Sequence, residues 1–137
     1  IQRVQNLQST SSPLWGKMNV SQMVKHCNKP YEVLDLAVPP SPPFLMKWLV
    51  RLFFKGAMTN AVEYKHNLPT APYFVVSDIP DLETEKTLLI SNINKLLKLG
   101  PTYFEGKIHG TLGKLTAAEW SMMMHKHLDH HLRQFGV

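Results

Sequence analysis

Apolar residues recur at intervals of three and four over most of this chain, the period of an amphipathic α-helix. After Asn19 come Val20, Met23, Val24, Cys27, Tyr31 and Leu34, and Gln22 stands where its side chain can reach back to the Asn19 backbone, the arrangement of a capping box. Pro30 follows His26 by four residues, so the helical bond to the His26 carbonyl is missing and a kink is expected beside it. Residues 44–55 form a short helix with a wide apolar face (Phe44, Leu45, Trp48, Leu49, Leu52, Phe53) and a stripe of Lys47, Arg51 and Lys55. It reads as a helix packed on the domain with its cations in solvent; a lid or a membrane-surface helix is the sharper alternative. Asp81 caps a helix to Leu99 that carries Leu82, Leu89, Ile93, Leu96 and Leu97, and Gly100-Pro101 stops it. The last helix, residues 116–134, opens with a capping box from Thr116 to Glu119 and a hydrophobic staple of Leu115 and Trp120.

Between these stretches the pattern breaks. Residues 2–8, with Val4 and Leu7, read as the tail of a helix, and residues 9–13 end it. The chain starts at Ile1 without methionine, which leaves open whether upstream residues or a leader precede it. Residues 38–43 are a proline-rich linker. Residues 60–80, with Pro69, Pro72 and Pro80, form a long loop in which only residues 74–76 look extended, and residues 103–115 form a glycine-rich loop. Three substantial helices, part of a fourth and little strand signal give an all-α fold: an antiparallel four-helix bundle with a short extra helix, as one domain over residues 1–137.

Composition narrows the function classes. The formal charge is +5 over 137 residues, but the basic side chains are scattered, without the clustering of a nucleic-acid footprint. No apolar run is long enough to span a bilayer, so no membrane partner is expected either. Cys27 is the single cysteine, which excludes an intrachain disulfide and a cysteine-based zinc cluster and fits a reducing cytoplasm. Following His26 on the apolar stripe, it is a small core residue, and Met122-Met123-Met124 is packing.

The candidate chemistry lies in the run from His125 to His131. His127 and His131 are four apart, so one helix face presents two imidazoles at a separation that suits a shared metal ion. A third ligand must come from elsewhere, and among His26, His66 and His109 the strongest candidate is His26, on another predicted helix. His125 and His130 point off that face, Asp129 is solvated, and His109 stabilises a turn. Three neutral imidazoles leave positions open on a divalent metal, the arrangement of catalytic rather than structural zinc.

The segment from Trp15 through Gly16, Lys17 and Met18 to His26, and the ending His127-Leu128-Asp129-His130-His131 with Arg133-Gln134, resemble the DinB-like superfamily, in an uncharacterised branch. That resemblance implies a four-helix bundle, often dimeric, with a zinc-like or nickel-like ion on His26, His127 and His131. It implies thiol-dependent transfer chemistry using bacillithiol, mycothiol or glutathione.

Three functions follow as expectations. The first is a metal-dependent transferase that activates a low-molecular-weight thiol toward a small electrophile, with a homodimer as the assembly. The second is a hydrolase using metal-bound water, for which the sequence names no general base. The third is a binding or dimerisation module in which the metal ties helices together. No catalytic residue beyond the ligands is named.

Overall fold

The computed structural model describes residues 1–36 and 42–137. The described residues are mostly helical, with α1 (Gln2–Gln5), α2 (Val20–Asp35), α3 (Phe44–Thr59), a 3-10 turn at Pro72–Phe74, α4 (Leu82–Phe104) and α5 (Ala117–Gln134). Their only strands, β1 (Ile108–His109) and β2 (Gly113–Lys114), pair antiparallel as a minimal hairpin, Ile108 opposite Lys114. None of these helices is long and apolar enough to cross a membrane. The linker expected over residues 38–43 falls mostly outside the described residues; its last residue, Pro43, stands immediately before α3.

The caps read from the sequence are formed. Asn19 and Gln22 bond reciprocally, as do Thr116 and Glu119, and Asp81 accepts from the Thr84 backbone, so each long helix of the core begins with a side-chain cap on one of its free N–H groups. The helix α2 runs through Pro30 to Asp35.

Two apolar clusters hold these helices. Val4 and Leu7 pack with Val20, Met23, Val24 and Cys27 of α2, Leu89 of α4 and Leu132 of α5. The second cluster joins Leu34, Phe104, Leu112, Leu115, Trp120 and Met123. Asn28, fully buried, donates to the Glu85 carbonyl at 3.1 Å and accepts from Asn92 at 3.1 Å, fixing α2 against α4. Cys27 is a buried core residue as expected, its thiol pKa pushed up by burial.

Four sequence expectations change. The helix expected to end at Leu99 bends at Gly100, whose φ of 68° leaves helical space, and Pro101 then starts one more turn to Phe104. Leu97, placed in the buried stripe, is exposed because the packed face of α4 is carried by Leu82, Leu89, Ile93 and Leu96. Residues 72–74 form a 3-10 turn beside the segment that looked extended. The largest change concerns α3, which reaches Thr59 and buries none of its residues. Its cations turn inward: Arg51 donates to the Thr111 carbonyl at 2.9 Å and Lys55 to the Lys114 carbonyl at 3.3 Å. The apolar face is left to solvent, with Phe44 83% and Phe53 66% exposed.

A candidate metal centre between helices α2 and α5

The seam between α2 and α5 carries the histidines. His127 and His131 project from successive turns of α5, and His26 meets them from α2, so that one nitrogen from each ring lies within 4.8 Å of the others. Nε2 of His26 is 3.0 Å from Nε2 of His127. Bond lengths of about 2.0–2.1 Å put two nitrogens on a tetrahedral zinc about 3.3 Å apart, so the observed spacing is within a few tenths of an ångström of a ligand pair. Three histidines lie close enough together to hold a metal ion.

The far nitrogens of two rings are occupied. Nδ1 of His26 donates to the Phe74 carbonyl at 2.9 Å, and Nδ1 of His131 donates to Oε1 of Gln134 at 2.8 Å. Such contacts fix ring orientation and raise ligand basicity at metal sites. Burial dominates the electrostatics. It lowers the His26 pKa, carries that of His131 down to about 4, and holds that of His127 well below the usual histidine value with help from the charges of His131, His26 and His130. The rings are neutral at physiological pH, the state in which imidazole binds a metal.

The long loop over residues 60–80 covers one side of the centre. Phe74 supplies the carbonyl to His26, Tyr64 and His66 lie against His130 with ring centroids 5.8 and 6.1 Å away, and Glu63 pairs with Arg133. Trp15 stacks on His66 at 3.8 Å with 8° between the planes. At the other end of the loop Lys25 reaches Asp78 at 2.6 Å. The buried Lys126 donates to the carbonyls of Ala57 and Asn60, tying the end of α3 to α5.

Residues 1–136 match a family model whose description is protein of unknown function (DUF1569). The chain belongs to this family. No curated protein and no solved structure matches it. Within this DUF1569 chain, the other histidines are not members of the triad, although the His130 ring lies 5.1 Å from that of His131. His109 accepts from the backbone N–H groups of Thr111 and Leu112, both at 3.1 Å, the turn-stabilising role expected of it. His66 stacks on Trp15, His130 turns toward Trp15 and Tyr64, and His125 is exposed. Asp129, expected in solvent, instead pairs with Arg3 at 2.6 Å. Sequence reasoning missed Gln134 and the Phe74 carbonyl as partners of the histidines. The spacing of three from His131 to Gln134 on one helix face was the available signal; nothing local pointed to Phe74.

Proposed function

We propose that this chain is a DinB-like antiparallel four-helix bundle, with α3 as the extra helix, that binds a divalent transition metal through His26, His127 and His131. Zinc and nickel suit an all-imidazole donor set. The observation that carries this reading is the convergence of the three rings from two helices, with Nδ1 of His26 and His131 turned to acceptors and Nε2 of His26 within the triad. An ion held there would supply Lewis acidity, lowering the pKa of a bound thiol or water toward neutrality.

The reaction we assign is transfer of a low-molecular-weight thiol to a small electrophile. The sulfur lone pair forms a bond to carbon: with an alkyl halide the halide departs with its electron pair and the thiol proton passes to solvent, with an epoxide the C–O bond opens and its oxygen takes the proton, and with an unsaturated carbonyl the π pair moves to the α-carbon, which takes the proton. Hydrolysis by bound water, the alternative, calls for a general base. The acid nearest in sequence, Asp129, is committed to Arg3 and also lies 3.9 Å from Arg133, which favours the thiol reading. The third reading, a metal that only ties helices together, is separated from both by the turnover assay. Trp15, Tyr64 and His130 flank the triad and shape what approaches it.

The same reading places the chain in a reducing cytoplasm, with a small-molecule substrate, no nucleic-acid or membrane partner, and a second copy of itself across α3. The outward face of that helix is apolar, and two of its three cations, Arg51 and Lys55, are already bonded to the hairpin, which limits the charge that pairing would strip of water.

Protein reconstituted with zinc or nickel is expected to consume free thiol when offered alkyl halides, epoxides or unsaturated carbonyls, and to lose this with His127→Ala. Ester or amide turnover without added thiol would select the hydrolase. Metal binding without turnover of either kind would leave only the helix-tying role.

A further inference from the structure

Gln134 is 3% exposed and bonded on every side. Its backbone carbonyl accepts from the Leu14 N–H at 2.7 Å, its Nε2 donates to the Trp15 carbonyl at 2.6 Å, and its Oε1 faces Nδ1 of His131 at 2.8 Å. The direction of this relay is forced. A carbonyl only accepts, so the amide must turn its NH2 to Trp15; the amide oxygen left facing His131 also only accepts, so Nδ1 of His131 must carry the hydrogen. In a neutral imidazole that leaves the lone pair on Nε2. Reversing the amide would set two oxygens against each other at the Trp15 end.

The fixed end of the relay depends on glycine. Gly16 has φ +82°, and a Cβ there would lie 2.5 Å from Nε2 of Gln134. A side chain at this position meets both backbone strain and the amide itself. The Trp-Gly pair ahead of α2 therefore acts on the other end of the chain: its carbonyl orients Gln134, and its missing side chain makes room for it.

We propose that Gln134, held by the Trp15 carbonyl over Gly16, is a positioning residue that fixes the Nδ1–H tautomer of His131 and so presents Nε2 as a ready metal donor. The proposal deepens the metal-binding reading and rests on it for its consequence. His26 is set in the same sense by the Phe74 carbonyl. His127 differs: its Nε2 faces Nε2 of His26, which has only a lone pair once Nδ1 of His26 carries the hydrogen, so in the metal-free chain His127 donates from Nε2.

The test is nitrogen-15 NMR of the histidine rings in metal-free protein near neutral pH, with zinc titration of the same samples. Wild type is expected to show Nδ1–H at His131. Gln134→Met is expected to release the ring to a mixture with Nε2–H and to weaken zinc binding by about 10–100-fold, with helix content by circular dichroism unchanged. Gln134→Glu loses the bond to the Trp15 carbonyl and is expected to lower stability, but it keeps an oxygen acceptor for His131 and is expected to retain the Nδ1–H form and bind zinc more tightly than Gln134→Met. An Nε2–H tautomer at His131 in wild type would overturn the proposal even if Gln134→Met does not fold. An unchanged tautomer or unchanged zinc affinity in a folded Gln134→Met would also overturn it. Failure of wild type to bind zinc would instead remove the metal-binding reading, while the ring signals still decide the tautomer.

Discussion

The helices α2 and α3 are each 16 residues long and each carry an apolar stripe, yet they end in opposite environments. In α2 the stripe from Val20 to Leu34 is buried in the packing, and His26 is carried inward beside it. In α3 the stripe faces solvent and the basic residues bond back to the hairpin and α5. An apolar stripe thus says that a face is fit to be covered, and not by what. What separates the two helices is their polar residues: those of α2 include Asn28, which finds partners inside the core, whereas the cations of α3 find backbone carbonyls at its edge.

If that contrast is right, truncation should cost far more in one helix than in the other. Met23→Ala removes a fully buried side chain and is expected to destabilise the protein by about 2–5 kcal/mol, read by denaturant unfolding. A cost below about 1 kcal/mol would show the α2 side of the core to be loosely packed.

The hairpin between α4 and α5 gives the next largest effect. Burial holds the His109 pKa at about 4 while its neutral ring accepts two N–H groups. In the unfolded chain the ring protonates near pH 6.5, so its stabilisation is present above about pH 6.5 and is lost as pH falls toward 4, amounting to at most about 3 kcal/mol. His109→Asn supplies an oxygen acceptor that does not titrate. Its stability between pH 7 and pH 4 is expected to fall less than that of wild type, and parallel curves would contradict this role.

The smallest effect on the monomer lies in α3. Leu52→Ser, on a residue 59% exposed, is expected to change unfolding free energy by no more than about 0.5 kcal/mol in dilute solution. The same variant is expected to weaken self-association measured by sedimentation. A large loss of monomer stability would mean that the face is covered from within the chain.

Much of the fold was legible because its signals are local. Capping boxes at Asn19 and Thr116, the Asp81 cap and the periodic stripe of α2 act within one or two turns, and each is formed as read. The side on which α3 packs was not legible, since the wide apolar face suggested burial while tertiary bonds to Thr111 and Lys114 decided otherwise. Leu97 failed for a related reason: the helical period admits it to the stripe, but no partner helix reaches that far round α4. At the candidate metal centre the three histidines could be named from spacing and resemblance. Gln134 and the Phe74 carbonyl could not, because a hydrogen bond across 119 residues from Gln134 to Trp15, or 48 from His26 to Phe74, exists only once the chain has folded.

Whether α2 and α5 share one metal site is decided by elemental mass spectrometry on untagged wild type beside His26→Ala and His127→Ala, after reconstitution and exhaustive dialysis. About one metal ion per chain is expected in wild type and none retained in either variant, with helix content preserved in all three. A wild type that holds no metal after reconstitution, or variants that keep it, would contradict a site shared between the two helices.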